Sequence, residues 1–288
     1  MRSIKKKTKA FKVNMGGVML EQALPYKGTD QVDPFLLIHH WSDKLKGGQK
    51  QQNVGVGPHP HRGFAPVTFI FNGGVHHRDS EGHESIVSAG GTQWMNSGKG
   101  IIHSERPTKE LAENGGQFEI IQFWINAPAK NKLDTPKYQP LENGNTPKLV
   151  SDDGKISVGV VAGELNGVCG IIESYSDLLV LRMDYKAGGK MTIPVDKEFN
   201  ALFYNLDGNI IVNGEGMEDK DMLEFNNDGS EVILETKTAG RAILLSGRPI
   251  NEPLATYGPF VMNTQQEIMD AVADYQGGKM GRLIEKFD

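Results

Sequence analysis

The side chains in this chain best suited to metal chemistry lie between residues 57 and 105. The stretch opens Gly57-Pro58-His59-Pro60-His61-Arg62-Gly63-Phe64 and closes Gly100-Ile101-Ile102-His103-Ser104-Glu105-Arg106-Pro107. Each end carries two metal-competent side chains at i and i+2: His59 with His61, and His103 with Glu105. On an extended strand, residues i and i+2 point to the same face. Two such strands side by side aim three imidazoles and one carboxylate at one point. Neutral imidazole suits Zn, Cu, Fe and Ni, and the carboxylate keeps Fe(II) or Mn(II) acceptable. The residues read as one metal centre, built from His59, His61, His103 and Glu105 on a β-barrel.

The other histidines agree with a local centre. All eight (His39, His40, His59, His61, His76, His77, His83 and His103) lie between positions 39 and 103, and more than half the chain has none. His39, His40, His76 and His83 read as hydrogen-bonded core or turn residues rather than ligands. Arg62 and Gln93 are candidates for the pocket wall or for turn and strand hydrogen bonds. Phe64, Trp94, Phe123 and Trp124 read as core.

The elements that must position these residues are short strands. Residues 8 to 24 form a hairpin around Gly16-Gly17, and Pro34 opens a buried strand through His40. Residues 44 to 57 read as a loop, a lid beside the metal. Pro66 to Phe71 is a strand closed by Asn72-Gly73-Gly74, and strands over 75–80, 84–88, 93–95, 101–105 and 117–126 follow. Turns every eight to twelve residues predict a sandwich or barrel. Four prolines between Ala127 and Pro147 mark a linker. Beyond it the β pattern resumes without histidine. Thr264-Gln265-Gln266-Glu267 is a capping box, and a helix runs from it to Gly277-Gly278.

Composition narrows the function classes. The net charge of −5 argues against direct nucleic-acid binding. Lys5-Lys6-Lys7 and Lys9 belong to a solvated strand. Cys169 is the one cysteine, so no intrachain disulfide forms, which fits a reducing compartment. No apolar run spans a bilayer or resembles a signal peptide, and the expected location is the cytoplasm.

A glycine-led HxH followed by a distant histidine on glycine-punctuated strands resembles the cupin pattern. More closely, the chain resembles the pirin family of two-barrel cupins. The resembling segments are Asp33-Pro34-Phe35-Leu36-Leu37, Pro58-His59-Pro60-His61-Arg62-Gly63-Phe64, His77-Arg78-Asp79-Ser80, Gln93-Trp94-Met95, Gly98 to Glu105, and Gly258-Pro259-Phe260-Val261-Met262-Asn263-Thr264. The resemblance implies an all-β bicupin. Two antiparallel cupin barrels stand in tandem, residues 1–145 with the metal and residues 146–288 without, and a short C-terminal helix follows. It implies His59, His61, His103 and Glu105 as ligands, usually to iron. Some bacterial members are known as quercetin 2,3-dioxygenases, and animal members as nuclear, iron-containing transcriptional co-regulators.

The expected function is therefore an iron-dependent dioxygenase acting on a flavonol or similar enediol. Its partners are that small molecule and dioxygen, with no membrane. Fe(II) is the first choice of metal, and Zn, Mn, Ni, Cu or Co are alternatives. Six-coordinate iron on four protein ligands keeps two positions open, whereas four ligands around zinc close a structural site. Glu105 doubles as general base for the substrate hydroxyl. The alternative function is a metal- or redox-responsive regulator that binds a protein partner without turnover. The chain departs from the pattern at Ala65, where pirins usually carry an acid after HRGF, and at His39-His40. Position 65 is expected to affect charge and proton handling around the metal.

Overall fold

The computed structural model describes residues 1–287. Strands dominate, and the ladders that build the two sets of sheets, among them those around the ligand strands, are antiparallel. The chain divides into two compact units, one of residues 1–39 with 145–250, the other of 40–144 with 251–288. The units are therefore not the sequential halves 1–145 and 146–288. Ile4–Lys9 pairs with Asp221–Phe225, which draws the chain's start into the unit without histidine ligands. The final helix packs on Ala255–Tyr257 and Phe260–Met262, a hairpin joined to Arg62 by backbone bonds.

In the first unit, Gly16 and Gly17 both have positive φ, 61° and 94°. That conformation fits a two-residue turn whose twist matches its strands, here Phe11–Met15 and Val18–Leu24. A seven-stranded sheet runs in the order Ile4–Lys9, Asp221–Phe225, Asn200–Asp207, Gly240–Gly247, Leu178–Tyr185, Ile156–Ala162, Lys148–Val150. Lys190–Pro194, Glu231–Thr236, Ile210–Val212 and Glu215–Met217 form a second sheet. Val158, Leu181, Phe203, Leu223 and Leu244 fill the core.

In the second unit, Val56–His61, Ile101–Pro107, Gly74–Asp79 and Glu84–Ser88 make a four-stranded sheet in that order. Lys137–Leu141, Thr92–Asn96, Phe64–Asn72 and Gly116–Asn126 are neighbours in another. Lys137–Leu141 lies inside the expected linker. Its ladder with Thr92–Asn96 corrects that reading: proline is tolerated because the strand has no further partner on its other side. Helix Gln265–Gln276 begins with both halves of the capping box, Thr264 and Glu267. Residues 44–57, expected as a lid, are held down. Gln51 is buried and donates to Pro107 O at 2.9 Å, and Arg106 donates to the carbonyls of Gln52 and Val54. Among the described residues no helix is long and apolar enough to cross a membrane.

Candidate metal centre

The ligand strands meet as neighbours. His103 is registered opposite His59, and Ile101 opposite His61. The ladder shifts between His103 and Glu105, an irregularity of the kind that re-aims side chains next to functional sites. His59, His61 and His103 each offer a ring nitrogen, all within 4.8 Å of one another. Their ring centroids stand 4.4 to 4.9 Å apart. His61 and His103 are buried and His59 is partly exposed.

The donor set fits a metal ion. The Nδ1 of His59 lies 2.8 Å from Gly57 O. A carbonyl only accepts, so Nδ1 carries the hydrogen and Nε2 is left as the atom for a ligand bond. That Nε2 faces His61 Nε2 across 3.1 Å. Neither ring nitrogen of buried His103 has a hydrogen-bond partner. Buried polar atoms are ordinarily paired, and a cation in this place would take one nitrogen from each ring. Burial, then the neighbouring imidazoles, pushes His61 and His103 well below the ordinary histidine range. Both are thus held neutral, the form a metal requires.

Glu105 sits at the edge of this cluster, with Oε2 4.0 Å from His103 Nε2. Its carboxylate is aimed by two donors: Thr68 Oγ1 at 2.8 Å and Gln122 Nε2 at 2.7 Å. Gln122 is oriented by Trp124, whose Nε1 donates to Gln122 Oε1 at 3.2 Å. Phe64 and Trp124 flank His61 at 5.0 and 5.5 Å, so these two aromatics wall the centre. Trp94 and Phe123 are core.

Arg62 does not face the centre. It donates to Lys99 O and to Asp274 Oδ2. Gln93 does line the small cavity beside His103 and Glu105, with Pro66, Thr68, His77, Met95 and Tyr138. This cavity of about 10 Å³ holds about one water-sized sphere. His40 donates to Glu119 at 3.0 Å, His39 is bonded to Gln22, and His76 and His83 are bonded to Glu84 and Asp79.

Two placements were not read from the sequence. His77 lies 5.5 Å from His103, stacks on Tyr138 at 3.8 Å, and donates to Asp79 Oδ2 at 3.0 Å. The signal was present: His77 and Asp79 repeat the i, i+2 spacing of the ligand pairs. Ala65 is the second. Phe64, Pro66 and Thr68 turn toward the centre, so alternation turns Ala65 to the opposite face, with fully buried Val67 and Phe69. An acid there would not reach the metal, contrary to the expectation for position 65.

Comparison with known proteins agrees with the architecture. The pirin family model matches residues 17–125, and the model of the pirin C-terminal cupin domain matches residues 180–281. A pirin-like protein of Solanum lycopersicum is 34% identical over 291 residues, 97% of this chain and 93% of its own. The crystal structure of a quercetin 2,3-dioxygenase from Acinetobacter baumannii superposes with a TM-score of 0.92 at 33% identity, covering 99% of this chain and all of that one. A bacterial pirin from Escherichia coli, solved in complex with nickel(II), shares the fold, with a TM-score of 0.65 at 18% identity over 85% of this chain and 99% of its own. Two family models spanning both cupin segments, and relatives matched nearly end to end, lead to one conclusion: the chain belongs to the pirin family of two-barrel cupins.

Proposed function

We propose that the chain is a metal-dependent dioxygenase acting on a flavonol or a similar enediol. His59, His61, His103 and Glu105 hold one divalent transition metal, Fe(II) in this reading. The carrying observation is the cluster of three imidazoles in which buried His103 has no partner for either nitrogen. The similarity to a solved quercetin 2,3-dioxygenase supports the substrate class, and the nickel complex of a fold relative supports a transition metal. A bound metal would supply Lewis acidity toward a substrate oxygen and one-electron chemistry toward dioxygen.

The chain's own residues do the rest. Gly57 O presents His59 Nε2. Thr68 and Gln122 hold the Glu105 carboxylate in place, where it takes the proton of a substrate hydroxyl. Phe64 and Trp124 keep water from His61. His59 is the partly exposed ligand, so the organic substrate approaches from its side. The test is metal analysis of the purified protein, followed by oxygen uptake and quercetin bleaching. Parent protein with verified iron that turns over none of several flavonols would reject the specific substrate class. His103→Ala, losing metal and turnover together, is the control.

A second reading has its own observation. A cavity of about 10 Å³ is far below the roughly 300–1,000 Å³ of ordinary ligand pockets. That favours a metal- or redox-responsive regulator that binds a protein partner without turnover. Pull-downs with metal-loaded and metal-free protein separate the readings, since identical partner sets would argue against metal-gated binding.

A further inference from the structure

Glu285 is 180 residues beyond Glu105 in the sequence, yet its carboxylate ends on the outer side of the ligand strand. Its two oxygens accept from Arg106 Nε and Nη2, each at 2.6 Å. Paired charge-assisted bonds of this kind set orientation as well as attraction. Phe287 lies over Arg106 and Arg78, with its ring centroid 5.4 and 5.1 Å from their Cζ atoms. The Glu285 and Arg106 side chains are 7% and 8% exposed. Burial by itself would raise the Glu285 carboxyl, but the hydrogen bonds from Arg106 and the charges of Arg106 and Arg78 outweigh it and hold the group below its ordinary range.

Arg106 follows Glu105 and points to the opposite face of Ile101–Pro107. Its Nη1 donates to Gln52 O at 2.8 Å and Val54 O at 2.9 Å, the backbone leading into Val56–His61. Its Nη2 lies over Gly57, in space that a side chain there would need: an added Cβ would lie 2.9 Å from that nitrogen. The Gly57 carbonyl is the acceptor that fixes the His59 ring. A continuous path therefore runs from Glu285 through Arg106 and the 52–57 backbone to His59.

We infer that Glu285 is a positioning residue for the metal centre: it locks Arg106, which holds the backbone whose Gly57 carbonyl orients His59. The inference rests on the proposed metal reading. Partners behind a ligand commonly change metal affinity by about 10–100-fold. Glu285 acts two contacts further out, so an effect of up to about tenfold is expected. Coupling between sites is reciprocal, so metal must also steady the tail.

The full chain, its Glu285→Gln variant and its Glu285→Asp variant are loaded with Co(II) and challenged with a chelator. Glu285→Gln should release metal severalfold faster and show altered Co(II) absorption bands, while Glu285→Asp recovers most of both. In the unaltered chain, bound metal should slow tryptic cleavage after the exposed Arg282 and Lys286. That arm needs no variant, so it decides the case even if Glu285→Gln does not fold. Equal cleavage with and without metal overturns the inference, as does a folded Glu285→Gln with parental release and spectrum. A parent that takes up no metal overturns the metal reading itself, and this inference with it.

Discussion

Glu105→Gln separates the charge of the candidate site from its shape. The replacement keeps the size and an oxygen but removes the negative charge and the base. The structure indicates how it would be housed. Trp124 fixes the Gln122 amide so that its NH₂ group faces position 105. The new side-chain oxygen therefore accepts from Gln122, and the new NH₂ turns to Thr68, whose hydroxyl rotates to accept. Both hydrogen bonds survive in neutral form. A bond to a charged group contributes roughly 1.5–3 kcal/mol and a neutral one roughly 0.5–1.5. The two together lose about 2 kcal/mol, offset in part because a carboxylate is no longer buried. The variant should stay folded, with a melting temperature within several degrees of the parent. Metal retention under chelator should fall by about 10–100-fold. Turnover per bound metal should fall by about 10²–10⁴, equal to roughly 3–5 kcal/mol of barrier. The assay is metal content, thermal melting and flavonol-dependent oxygen uptake on one preparation. Parental turnover at equal metal occupancy would remove Glu105 from the mechanism.

Ala65→Glu should destabilise the protein, by about 3 kcal/mol or more, because it buries a carboxylate beside Val67 and Phe69. Thermal melting should fall while the folded fraction keeps its metal; an unchanged melting point with raised activity would contradict the assigned face. Lys132→Met should lower stability by about 2–4 kcal/mol in urea titration. It strands Gly63 O, Asn126 Oδ1 and Val261 O, which the buried ammonium contacts at 2.6 to 2.9 Å; an unchanged midpoint would mean that these acceptors find other donors. His39 makes stability fall with acid. Burial pushes its pKa down to about 4, below the unfolded value of about 6.5, so the unfolded chain binds the proton first. The contribution is present above pH 6.5 and lost as pH falls toward 4, by up to roughly 3 kcal/mol. His39→Gln should flatten urea midpoints across that range.

What could be read ahead of the structure was what repeats locally. HxH and HxE announce themselves because a strand's side chains recur every second residue, and the Thr264–Glu267 capping box is complete within four positions. His77-Arg78-Asp79 obeys the same period. It was missed as chemistry because nothing in its own neighbourhood shows that Tyr138 stacks on it or that His103 lies beside it. Tyr138 was hidden further by its prolines, which mimic a linker while serving on an edge strand. Face assignment at Ala65 needed the register with Gly116–Asn126, because a motif gives the order of residues and not the side on which each lands. The supports of the centre are the least local of all. Arg62 meets Asp274 across 212 positions and Arg106 meets Glu285 across 179, pairings that only the folded chain creates. The segment Gly258 to Thr264 illustrates the gap. Its resemblance was visible, but its physical reason was not. Val261 N donates to Arg62 O, Lys132 joins Val261 O to Gly63 O, and a Cβ on Gly63 would collide with Val261 O at 2.0 Å. The end of the chain thus clamps the turn that follows His61. The short motif carries the candidate ligands, and distant residues, each unremarkable in sequence, hold them in place.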